Sequence, residues 1–101
     1  MRVQVQPKLV SETRVEVIDL SPMLAVGQTT SAASVSTSVY SGIDASPPTL
    51  SAAVSSAALS VTLPTGGVAG VIYQVTVSVT CANPASTLPV TFYLAVVPDL
   101  P

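Results

Sequence analysis

The sequence predicts an all-β fold, an immunoglobulin-like β-sandwich of about seven antiparallel strands without a disulfide. Three observations carry this. From Val71 to Cys81 the chain alternates almost unbroken: Val71, Tyr73, Val75, Val77, Val79 and Cys81 point one way, Gln74, Thr76, Ser78 and Thr80 the other, with Ile72 the exception. A period of two over that length is a strand with a core face and a wetter face, and β-branched and aromatic side chains suit a pleated surface. Shorter alternating runs recur with turn signals at intervals near ten residues, the rhythm of a sandwich. Cys81 is the only cysteine, so the core must hold by packing alone.

At the N-terminus Val3 and Val5 alternate with Gln4 and Gln6. This is a short edge strand or an arm that adds to a neighbour's sheet, and Pro7, with no N–H to donate, ends it. Residues 1–12 are therefore set apart as an N-terminal arm or edge strand, and residues 13–98 as the sandwich domain. Between Val10 and Leu20, Val15 and Val17 are in phase while Ile18 and Leu20 are out of phase, which predicts a bulge or a change of face. Ser21-Pro22-Met23-Leu24 predicts a single helical turn with Ser21 as cap and Pro22 at the first helical position, Met23 and Leu24 plugging one end of the core. Thr29 to Tyr40 is the next strand, with Ala33, Val35, Thr37 and Val39 on one face and Ser34, Ser36 and Ser38 on the other.

Gly42 to Pro48 is a loop. Leu50, Ala52 and Val54 then alternate with Ser51, Ala53 and Ser55, and Leu59, Val61 and Leu63 alternate with Ser60 and Thr62 until Pro64. A helix over Ala52 to Leu59 competes, because Ala favours helices; the period of two favours strands. Glycines at 66, 67 and 70 turn the chain into the long strand. Asn83-Pro84-Ala85-Ser86 supplies the following turn, and Val90, Phe92, Leu94 and Val96 form the last core face with Thr91 and Tyr93 opposite. Segments 71–81 and 89–97 thus predict a hairpin. Tyr73 stands near the start of the penultimate strand, where a tyrosine corner bonds back to upstream backbone; a plain core tyrosine is the other reading.

A chain of 101 residues holds one domain. With one Phe, three Tyr and no Trp, its core rests on Val, Leu and Ala, which bury less area per residue at an undiminished ordering cost. Modest stability as a monomer follows, together with a use for a partner that adds buried area. Only 8% of residues are charged, the formal net charge is -2, and after Asp19 only Asp44 and Asp99 carry charge. Without a basic patch, nucleic-acid binding is not expected. Mean hydropathy is +0.66, yet the longest apolar run is Phe92 to Val97, far short of the ~20 residues of a spanning helix. The chain is also too short for an outer-membrane barrel of at least about eight strands, so no membrane insertion is expected. Glu12, Arg14, Glu16 and Asp19 interrupt any signal-peptide pattern.

The absence of histidine excludes a His-based triad or His metal site. Cys81 falls on the core face, as a small hydrophobe. Glu12 and Glu16 flank Arg14, the pattern of ordinary surface pairing, and no cleft separates them as glycosidase chemistry requires. Asp44 is the one acid in its loop, too few for calcium. No Lys follows the 66–70 glycines to make a phosphate loop. The expectation is a non-enzymatic protein without metal or cofactor.

The run Gly66-Gly67-Val68-Ala69-Gly70-Val71-Ile72-Tyr73-Gln74-Val75-Thr76 resembles the Gly-Gly-x-x-Gly-x-x-Tyr-x-Val-Thr pattern of small tailed-bacteriophage virion proteins, some of them fibre–tail adaptors. Ile18-Asp19-Leu20-Ser21-Pro22-Met23-Leu24 is similar to their Asp-Trp-Ser-x-x-Leu segment, with Leu20 in place of the Trp, and Leu59 to Leu63 fits in position. The resemblance covers residues 12–97. It implies a structural component of a virion, an adaptor or attachment module at the tail, fibre or head–tail junction, made in the cytoplasm of a host bacterium. Its partners would be other virion proteins (tail, fibre, portal-proximal or capsid subunits), bound in multiple copies. Carried over, Gly66, Gly67, Gly70 and Tyr73 are fold determinants. The residues themselves offer Val3 and Val5 on the arm, and Tyr40 and Tyr93 off the main core face, as candidate interface positions. Two alternatives stand beside this: a capsid decoration or cement protein clasping shell subunits through residues 1–12, and a host-surface carbohydrate-binding or adhesive module using exposed Tyr40 and Tyr93.

Overall fold

The computed structural model describes residues 2–98, with side chains from residue 4 onward; Asp99 and the side chain of Val3 fall outside the described residues. Eight strands run in the order β1 (Arg2–Val3), β2 (Lys8–Leu9), β3 (Arg14–Asp19), β4 (Thr29–Ser41), β5 (Ser51–Ser55), β6 (Ala58–Leu63), β7 (Ile72–Ala82) and β8 (Ser86–Val97), with one 3-10 turn at Ser21–Met23. One sheet has the order β1-β8-β7-β4, with β2 also pairing β8; the other has the order β3-β6-β5. The fold is all-β, as the alternation predicts. The ladders are antiparallel except that β1 and β2 lie parallel to β8, an exception to the all-antiparallel expectation.

The core is the space between the two sheets. Leu59, Val61 and Leu63 of β6 and Ile18 of β3 enter it from one side; Val75, Val77 and Val79 of β7 and Val90, Phe92 and Leu94 of β8 enter from the other. β7 and β8 sit in the interior of their sheet, so every second side chain is buried along nearly all of β7 and along β8 from Val90 onward. Their register runs from Ile72 opposite Ala95 to Cys81 opposite Ser86, so β8 starts three residues earlier than the expected segment 89–97. Where a helix competed, the chain folds as the hairpin β5–β6, turning at Ser56 (φ 53°).

Two expectations are corrected. β3 has neither a bulge nor a change of face: it pairs with β6 residue for residue, Arg14 opposite Leu63 through Asp19 opposite Ala58. Ile18 is buried, Val15 and Val17 stand outward, 53% and 67% exposed, and Arg14 and Glu16 share the inward parity. Ser21 does not cap the helical turn; Leu20 holds that position without a side-chain bond. Instead, Ser21 N donates to Asp19 Oδ1 at 2.9 Å. Leu24 packs against the core, whereas Met23 is largely exposed and plugs nothing.

The molecule measures 49 × 22 × 18 Å. Its accessible surface, 5626 Å², slightly exceeds the ~5300 Å² of a compact monomer of this mass, as its elongation requires.

Candidate functional site

The described residues contain no group of three or more His, Cys, Asp or Glu able to hold a metal, and Cys81 is buried. What the fold builds is one braced end and one uncharged sheet face.

At the braced end, four segments meet. Tyr73 is fully buried at the start of β7. Its hydroxyl accepts a hydrogen bond from Val68 N, five residues upstream, at 2.8 Å and donates to Asp44 Oδ2 at 2.7 Å, tying the 66–71 turn to the 42–50 loop. Burial, then the bond to Asp44, pushes the phenol above its ordinary pKa. Gly66, Gly67 and Gly70 all have positive φ, but they differ in surroundings. A Cβ on Gly67 would lie 3.0 Å from Val96 Cγ2 and 3.5 Å from the Tyr73 ring, whereas Gly66 and Gly70 face open space. Gly66 N donates to Val10 O and Gly70 N to Val96 O, each at 2.8 Å.

Lys8 completes this end. It is 2% exposed, and its ammonium donates to the carbonyls of Leu9 at 2.7 Å and Glu12 at 2.9 Å, with Val10 and Gly66 at 3.4 and 3.5 Å. A buried ammonium is tolerated only when its protons are so engaged. Arg14 holds the segment before it, donating to the carbonyls of Gln6 and Pro7. It also pairs with Glu12 at 3.6 Å and lies 2.7 Å from Glu16 without hydrogen-bond alignment. The first residues thus lie along β8 of their own chain, with Val5 half-buried against the core. Asp19, whose carboxyl Ser21 holds below the usual range, is exposed and apart from this cluster.

The outer face of the larger sheet is of another kind. β4, β7 and β8 contain no charged residue. Their outward positions are Ser34, Ser36 and Ser38, Gln74, Thr76 and Ser78, Thr91 and Tyr93, with Tyr40 at the irregularity between Val39 and Ser41. Tyr40 and Tyr93 pack on one another across β7, centroids 4.6 Å apart and planes tilted by 60°. Of the four candidate interface positions, the structure joins these two and leaves Val5 elsewhere. At the opposite end, an open recess of about 390 Å³ lies between Leu24, Gln28, Thr29, Thr30, Ser56 and Ala57; with no titratable side chain in its lining, it offers no acid–base chemistry.

Sequence reasoning missed Asp44 as the partner of Tyr73, 29 residues away, and Lys8 as a buried tether. The first leaves no local trace. For the second, the signal was a lone Lys between Pro7 and Leu9 on an otherwise alternating segment.

A family model described as podophage GP4 fiber-tail adaptor protein gp77 matches residues 8–94, and the chain belongs to this family. No curated protein and no solved structure matches it. The matched span begins at Lys8 and so takes in Lys8, Asp44, the 66–71 turn, Tyr73 and both paired tyrosines while leaving out β1. Membership makes the chain a structural component of a phage tail, and thus of the virion, that binds other virion proteins.

Proposed function

We propose that this chain is a non-enzymatic connector between tail and fibre, present in several copies per particle and made in the cytoplasm of the host bacterium. The family match over residues 8–94 carries the reading. Physical support comes from the charge-free strands β4, β7 and β8: a permanent interface that buries Ser, Thr and Tyr leaves no unpaired charge to desolvate. The braced end keeps the loops fixed, so docking surfaces at Tyr40 and Tyr93 are presented without an ordering cost.

The test is deletion of the gene followed by electron microscopy and mass spectrometry of purified particles. The expected result is tails that lack fibres, and in wild-type particles six to a few tens of copies of this chain. Hundreds of copies with fibres unaffected by the deletion would place it on the shell as a decoration protein. Absence from wild-type particles would refute any virion role.

A further inference from the structure

The recess at the end opposite Tyr73 is polar in composition but less so in what it offers. Gln28 in its lining has its amide engaged on both sides: Oε1 accepts from Ala25 N at 2.9 Å, and Nε2 donates to Pro84 O and Ser86 Oγ, each at 2.8 Å. Thr30 Oγ1 donates to Ser56 O. Polar groups already paired inside the protein gain little from a ligand's donors and acceptors. What remains on offer is aliphatic: Leu24 and Ala57, with the carbon atoms of Gln28, Thr29 and Thr30. Val26, between the lining residues Leu24 and Gln28, is fully exposed, and Met23 is largely so. At about 390 Å³ the recess is at the small end of ligand sites, a size for a side chain rather than an extended molecule.

A matching side chain stands at the other end of the same molecule. Ile43 is 89% exposed and Val68 is 44% exposed. The Tyr73 hydroxyl brings their loops together, accepting from Val68 N and donating to Asp44 Oδ2. Asp44 Oδ1 accepts from Ser46 N at 2.9 Å, so the one carboxylate of this loop is bonded through both oxygens. The braced end thus carries an aliphatic knob that is fixed before it binds, which lowers the ordering cost of docking.

An apolar patch that suits a pocket elsewhere on the same molecule makes a head-to-tail contact. We propose that the recess is a socket for an aliphatic side chain and that Ile43 of a second copy fills it, the braced end of one copy seating on the far end of the next. No charged side chain lines the socket, so seating the knob desolvates no charge there. An end face of 22 × 18 Å is roughly half of the ~800 Å² that each partner buries in a standard interface. One such contact is therefore weak, and it holds where copies are already gathered at high effective concentration. This rests on the chemistry of the two ends and does not depend on the fibre–tail reading.

Disulfide trapping of the full chain tests a contact of this strength, with circular dichroism confirming that each variant is folded. The native Cys81 is buried, so the wild type is expected to give no cross-link. Equal amounts of I43C and A57C are oxidised together at high concentration and the products weighed by mass spectrometry. The expected result is a heterodimer at least tenfold above either homodimer, and a ladder of trimers and longer species from the doubly substituted I43C/A57C chain. Adding V68D to the I43C chain sets a charge beside the knob and is expected to lower the heterodimer yield at least fivefold. I43C with A53C, on the exposed side of β5, gives hetero- and homodimers in statistical proportion. That same statistical proportion from I43C and A57C would overturn the proposal and leave the recess to an aliphatic side chain of another protein. A predominance of I43C homodimers, or an undiminished yield with V68D, would overturn it equally.

Discussion

Replacing Tyr73 by Phe removes one buried oxygen and tests what braces the molecule. That oxygen accepts from Val68 N at 2.8 Å and donates to Asp44 Oδ2 at 2.7 Å. A neutral hydrogen bond contributes about 0.5–1.5 kcal/mol net and one to a charged group about 1.5–3 kcal/mol. Asp44 is only half-buried and Val68 exposed, so water recovers part of both, and the expected loss is ~2 kcal/mol. For a domain of this length that is a fall in Tm of roughly 8–16 °C, read by thermal unfolding at pH 7. Alkaline pH supplies a second, signed readout. Burial and Asp44 raise the folded phenol above its ordinary value of 10.0, so above that value the unfolded chain loses its proton first. The stabilisation from Tyr73 is therefore fully present below pH ~10 and is lost as pH rises through the folded pKa. Tyr73→Phe has no such titration, so the gap between the two proteins narrows above pH ~10. A Tm change under ~2 °C, or a gap that stays constant into strong alkali, would refute the bracing role.

Three other substitutions probe the same end and the arm. Gly67→Ala forces a left-handed alanine, worth about 1–2 kcal/mol, and adds a 3.0 Å approach to Val96; Gly70→Ala, at the same φ of 88°, has open space. Denaturant midpoints are expected to rank Gly67→Ala below Gly70→Ala, and the reverse order contradicts the close approach. Lys8→Met removes the donor from the carbonyls of Leu9 and Glu12, and urea unfolding is expected to show a loss of about 2–4 kcal/mol; an unchanged midpoint would mean water replaces the ammonium. Deleting residues 1–6 removes β1 and the Gln6 carbonyl that Arg14 holds. The sheet circular dichroism signal is expected to persist while incorporation into particles falls; loss of that signal would make the segment indispensable to its own sheet.

How much was legible depended on where each strand sits in its sheet. β7 and β8 lie inside the larger sheet with the core beneath them, so the pattern of Val75, Val77 and Val79 against Thr76 and Ser78 reports burial directly. β3 is an edge strand, and there alternation misleads. Its valines at 15 and 17 face outward because the inward parity is fixed further along, by Ile18 and Leu20. Arg14 and Glu16 take the same parity at the rim, where Arg14 reaches the backbone of residues 6 and 7. Two in-phase β-branched residues outweighed the larger Ile18 and Leu20, which carried the true phase. The partner of Tyr73 was illegible for a different reason: its hydroxyl bonds the Asp44 carboxylate, 29 residues away, and no local period encodes such a distance, whereas Lys8 bonds mainly carbonyls within four residues, which alternation does not reveal either, because they are backbone groups.

The distribution of charge distinguishes the sheet edges. Lys8, Glu12, Arg14, Glu16 and Asp19 all lie on the N-terminal segment and β3. There the charges close one side of the sandwich: Lys8 and Arg14 occupy carbonyls of residues 6–12, and Arg14 and Glu16 stand at a sheet edge where an incoming strand would have to desolvate them. The other side, along β4, carries no charge over thirteen residues. Were low charge merely a by-product of a Ser- and Ala-rich chain, the few charges would be scattered among the edges. Their concentration on β3 and its flank guards that edge with charge, whereas β4 is flanked by β5 and tied to the β5–β6 turn by the bond from Thr30 Oγ1 to Ser56 O.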